Sequence, residues 1–139
     1  MTPVDDGSQA LLPKELPSRA ELLEPLVEEA EAFLRQQTDN EELVYRAVLL
    51  LSEAATNAMK HGNRLDPTKT VRIEMRHERD RVRIRVCDEG AGFRPESTAD
   101  PLQDQNLLNT TGRGLFLIRE MADEVAFEDD GRCVVITIG

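Results

Sequence analysis

The spacing of apolar positions changes along the chain, and the changes divide it into elements. Leu23, Leu26, Val27, Ala30, Phe33 and Leu34 recur at helical spacing to about residue 37. Ser18, with Glu21 three residues on, reads as a capping box, and Pro25 kinks the helix or delays its start. A second stripe, Val44, Ala47, Val48, Leu51, Ala55 and Met59, predicts another helix, capped by Asp39 or Asn40 and stopped at Gly62. The period then becomes two. Val71, Ile73 and Met75 alternate with Arg72, Glu74 and Arg76, and Val82, Ile84 and Val86 with Arg81, Arg83 and Arg85. That is a hairpin with one wet face and a turn around Glu78 to Asp80. Leu115, Ile118, Ala122 and Val125 predict a third helix from near Gly112, and two strands follow, near 124–129 and 133–138, across the "DDGR" turn. "ALLPKEL" reads as a short early strand that Pro13 confines to a sheet edge. The order predicts an α+β fold, a two-layer sandwich with helices on one face of a mixed, mainly antiparallel sheet.

Composition narrows the class. A chain of 139 residues suits one domain, with a loose tail over 1–10 and a folded unit over 11–139. Hydrophobic residues make up 40% and aromatic ones 4%, so the core is aliphatic. No apolar run approaches the roughly eighteen residues of a membrane span, and the first residues lack the form of a secretory signal. Cys87 and Cys133 lie in apolar strand-like runs without metal-ligand spacing, which reads as two reduced thiols in a cytoplasmic protein. A net charge of -10 argues against non-specific nucleic-acid binding and leaves room for one phosphorylated ligand at a local site. The row Arg72, Arg76, Arg81, Arg83 and Arg85 stands out on so acidic a chain. With Glu74, Glu78 and Asp80 interleaved it reads as a solvated sheet face, an acidic partner being the alternative.

Three short stretches carry candidate chemistry. In "SEAATNAMKHGN", residues 52–63, Glu53, Asn57 and His61 are four apart and stack along one helix side. An Asn oxygen can ligate Mg²⁺ when phosphates and waters complete the octahedron, and a Glu one turn away can orient or deprotonate a nucleophile. The plain alternative is a solvated stripe. In "DEGAGF", residues 88–93, counting by two from Val82 places Asp88 on the core face. An unpaired carboxylate there is costly, and the exocyclic amine of adenine is one donor that would satisfy it. Gly90 and Gly92 would let the backbone approach a flat ring; alternatively the strand ends at Cys87 and a turn follows. In "TGRGLFLI", residues 111–118, two glycines at a helix start present N–H groups to an anion, although no Walker lysine follows.

In this order and spacing, over about residues 40–138, the three stretches resemble the N, G1 and G2 boxes of the GHKL ATPases with the Bergerat fold. "SEAATNAMKHGN … DEGAGF … GRGLFLIREMADEV" looks like the bacterial anti-sigma-factor serine/threonine kinases of partner-switching pathways. The resemblance implies that ATP and Mg²⁺ are bound, with Asn57 on the metal, Asp88 on adenine, and Gly90 and Gly92 beside the base. Gly112 and Gly114 would touch phosphates, with Thr111, Arg113 and Leu115 of the same stretch completing the nucleotide site. Glu53 would be the general base acting on a protein serine, His61 a structural residue, and residues 94–111 the ATP lid. The implied partners are a sigma factor and an anti-sigma-factor antagonist, with homodimerisation common and no direct role for nucleic acid or membrane. Two alternatives stand beside this: a non-catalytic nucleotide-dependent binding module, and the catalytic domain of a histidine kinase. The latter needs an acceptor histidine on an upstream helix, and His61 and His77 are the only histidines.

Overall fold

The computed structural model describes residues 9–90 and 117–139. Its order is β1 (Gln9–Pro17), a 3₁₀ turn (Ala20–Leu22), α1 (Leu23–Gln37), α2 (Glu41–Asn57) ending in a π turn (Ala58–Gly62), β2 (Thr70–Glu78), β3 (Arg81–Cys87), a helical turn at 117–121, β4 (Glu124–Glu128) and β5 (Cys133–Ile138). The strands form one sheet in the order β1-β2-β3-β5-β4, and every pairing among the described residues is antiparallel.

Period two decides which side chains meet the helices. Val71, Ile73 and Met75 of β2 and Val82, Ile84 and Val86 of β3 are buried, and Ile136 and Ile138 continue the layer on β5. Leu26, Ala30 and Leu34 of α1, with Leu43, Val44, Ala47, Leu50, Leu51, Ala54 and Ala55 of α2, close the same core. The opposite sheet face carries Arg72, Arg76 and Arg83, all exposed. This is the α+β sandwich expected, with an aliphatic core. No helix among the described residues is long and apolar enough to cross a membrane.

Local chemistry explains most boundaries. Asn40 caps α2, its Oδ1 accepting from the Leu43 N–H at 3.1 Å. Pro25 falls in the first turn of α1, where its missing N–H costs nothing. Arg79 and Asp80, with φ of 53° and 61°, make the tight turn between β2 and β3. Pro13 lies in edge strand β1, where the register shifts between Leu11 and Lys14.

Three expectations are corrected. Ser18 forms no capping box: it is buried, and its N–H and Oγ both bond the Lys69 carbonyl, so its hydroxyl serves a contact 51 residues away instead of the helix N-terminus. Val125 belongs to β4 and not to the third helix, because it pairs with Ile136. Cys87 and Cys133 are not separate thiols; they form a disulfide between β3 and β5. The Asp88 N–H bonds the Arg132 carbonyl just beyond them, so the two cysteines are a non-hydrogen-bonded antiparallel pair, the register in which side chains lie closest. Each cysteine looks isolated in sequence; only the register, 46 residues apart, brings them together.

Candidate nucleotide site

The C-terminal end of α2 and the end of β3 meet at one edge of the sandwich. Glu53 and Asn57 sit one turn apart near the end of α2, both partly exposed. Neither side chain makes a hydrogen bond or ion pair with the described residues. Their neighbours Ala54, Ala55 and Ala58 are buried in the core, so Glu53 and Asn57 stand on the side of the helix turned away from it, with Thr56 between them also partly exposed. Beyond Asn57 the helix widens. The Asn63 N–H bonds the Ala58 carbonyl at 2.8 Å, five residues back, and the Leu65 N–H bonds the Met59 carbonyl at 2.7 Å. His61 falls inside this wider turn. His61 is exposed, and its imidazole is held below its usual pKa by partial burial and then by neighbouring Lys60.

The π turn delivers Gly62 to Asp88. A Cβ on Gly62 would collide with the Asp88 carboxylate, and one on Gly90 would collide with the Gly62 carbonyl. The "HG" and "DEG" stretches therefore interlock backbone against side chain, and only glycine permits either approach. Gly90 is needed for this crossing before any ligand is considered.

Asp88 lies just past the end of β3, yet its N–H still pairs with the Arg132 carbonyl at 2.9 Å. Both sequence readings are thus half right: the strand ends at Cys87, and the alternation still turns Asp88 inward to partial burial. Its Oδ1 accepts from the Gly90 N–H at 2.7 Å, and Oδ2 accepts no hydrogen bond within the described residues. Burial raises the carboxyl above its ordinary pKa, against the Gly90 N–H and the charges of Arg132 and Lys69. A half-buried carboxylate with one oxygen free of hydrogen bonds among the described residues suits a donor from a ligand.

Several residues that shape the site carry no signal in the sequence pattern. Asn63, 1% exposed, donates through Nδ2 to Ser18 Oγ at 2.8 Å and the Thr70 carbonyl at 2.9 Å, and accepts the Glu89 N–H through Oδ1 at 2.8 Å. The Glu89 carboxylate accepts from Thr70 N–H and Oγ at 2.6 and 2.7 Å, which holds it below the usual carboxylate range. Arg132 Nε donates to the Gly90 carbonyl at 2.8 Å. Only a polar residue directly after a helix stop could have hinted at Asn63.

Among the described residues no group of three His, Cys, Asp or Glu could hold a metal ion. A lone Asn57 oxygen fits a Mg²⁺ that brings most of its ligands as phosphate and water. Gly92, Thr111, Gly112, Arg113, Gly114 and Leu115, and the lid at 94–111, lie outside the described residues.

A family model described as the histidine kinase-like ATPase domain matches residues 16–138. The chain belongs to that family. Its α+β sheet with helices on one face is that family's domain in this chain. Among individual proteins, it is 30% identical over 96 residues to a protein named Serine-protein kinase RsbW from Listeria innocua, covering 64% of this chain and 61% of that one. Proteins of the same name from Bacillus licheniformis and Staphylococcus aureus (strain MRSA252) are each 31% identical over 99 residues. Those matches cover 63% of this chain and 58% of the first relative, and 66% and 62% for the second. The chain thus spans about three fifths of the length of these relatives.

Proposed function

We propose that this chain is an ATP-dependent serine/threonine protein kinase that also sequesters a sigma factor, phosphorylating a serine of the antagonist that would release it. The observation that carries the nucleotide reading is half-buried Asp88, whose Oδ2 accepts no hydrogen bond among the described residues and lies against Gly62, just past the Glu53–Asn57 helix. Serine-kinase chemistry is supported by the names of the relatives and by an intact Glu53. Adenine's amino group would donate to Asp88. Asn57 would ligate Mg²⁺, which when bound neutralises phosphate charge. Gly112 and Gly114 would turn backbone N–H groups to the phosphates. Glu53 would take the proton from the acceptor serine as its oxygen bonds to the γ-phosphorus and ADP leaves with the electrons of the broken P–O bond. We place the protein in the cytoplasm, where a sigma factor acts; the Cys87–Cys133 bond would there meet reducing conditions.

A pure binding module would bind ATP without transferring phosphate. His77 is not placed as an acceptor histidine: it lies in β2 facing the core, 8% exposed, and on no helix. A single-turnover assay with ATP, Mg²⁺ and a cognate antagonist separates kinase from module. We expect phosphoserine on the antagonist and a loss of about 10²–10⁴-fold in rate for Glu53→Ala, the usual worth of a general base. ATP binding with no transfer would leave the binding module in its place.

A further inference from the structure

We infer that Asn63 is the positioning residue of the nucleotide site: it sets where Asp88 stands, although it offers little to a ligand itself. The inference rests on Asp88 being the adenine partner. Both Nδ2 hydrogens of Asn63 are committed, to Ser18 Oγ and the Thr70 carbonyl, and Oδ1 already accepts the Glu89 N–H. A buried amide so engaged is a brace.

The brace joins parts distant in sequence. Ser18 follows the end of β1, Thr70 opens β2, and Glu89 directly follows Asp88, while Asn63 itself ends the π turn that carries Gly62. Glu89 is gripped twice, its N–H by Asn63 and its carboxylate by Thr70. From the other side, Arg132 holds the Gly90 carbonyl and accepts the Asp88 N–H through its own carbonyl. Residues 88–90 are therefore fixed at each member, and among the described residues Asp88 Oδ2 is the carboxylate oxygen without a hydrogen bond. Without the Asn63 oxygen the Glu89 N–H loses its partner, and the Asp88 carboxylate is free to turn off Gly62. Sub-ångström placement of a hydrogen-bonding group decides how well a site separates an amine from a carbonyl.

Two readouts test this. The first needs no nucleotide: amide hydrogen exchange at Glu89 in the free protein should speed up by at least about tenfold in Asn63→Ala, as expected for loss of a buried hydrogen bond. The second compares ADP with inosine diphosphate, which carries oxygen where adenine carries its amine, by calorimetry. The wild type should prefer ADP by about 10- to 100-fold, the worth of a hydrogen bond to a charged group. Asn63→Ala should bring that ratio below about threefold. Leu34→Ala in α1, a core change far from Asn63, should lower thermal stability and keep the ratio. If Asn63→Ala does not fold, Thr70→Val and the exposed Glu89→Ala release the same turn and should shrink the ratio in the same direction. Unchanged exchange at Glu89, or an unchanged ratio in a folded variant, overturns the brace. A wild type with no preference for ADP, alongside faster exchange in Asn63→Ala, overturns the adenine reading and leaves the brace standing.

Discussion

Asp88 holds a proton more tightly than an ordinary aspartate, because partial burial outweighs the Gly90 N–H and the nearby Arg132 and Lys69 charges. Over the pH window from 3.8 upward to the raised folded value, the folded chain keeps a proton that the unfolded chain has released, so this group's contribution to stability falls as pH rises through the window. An adenine amine favours the ionised carboxylate. Nucleotide binding should therefore expel the proton inside that window, and affinity should weaken as pH falls through it. Calorimetry in two buffers of different ionisation enthalpy measures the proton directly; no release anywhere in the window would mean that Asp88 does not face the ligand. At this scale the sequence was informative where a residue had a spacing to obey. Counting by two found Asp88 turned inward, and counting by four found Glu53 and Asn57 on one helix side. Asn63, Thr70, Glu89 and Arg132 obey no period, because their partners lie up to 45 residues away in the chain.

Among the elements, the strands and helices were legible because burial enforces their period: β2 and β3 lie where alternation put them, β5 follows the "DDGR" turn, and α2 starts at the Asn40 cap. What was not legible was set by neighbours. Ser18 left its helix for the Lys69 carbonyl, Val125 went to β4 where it pairs with Ile136, and the end of the second helix widened into a π turn over Ala58–Gly62. The Cys87–Cys133 link is of the same kind, since only the β3–β5 register pairs them. That link has a testable weight. The ladder from Val82–Ile138 to Cys87–Cys133 holds the two strands without it, so reduction should leave the fold intact. Closing a loop of this length stabilises by about 2–4 kcal/mol, so urea melts with and without reductant should differ by that much. Identical midpoints would mean that the bond contributes nothing to the folded chain's stability.

For the whole molecule, fold and site are one construction. The sandwich places the end of α2 against the end of β3, and two glycines let them touch. That contact sets Asp88 against Gly62, at the end of the helical run that carries Glu53 and Asn57. The ATP lid and its phosphate-binding glycines, read from 94–115 in the sequence, complete the proposal from outside the described residues. Binding of adenine nucleotide at Asp88 is the central claim, since positioning, metal and phosphate transfer all depend on it. Titration of wild type and Asp88→Asn with ATP and Mg²⁺ by calorimetry, with circular dichroism to confirm the fold, tests it most directly. The account predicts a weakening of about 1.5–3 kcal/mol in a variant that stays folded. Equal affinity in the two proteins would contradict it and leave "DEGAGF" as no more than the turn after β3.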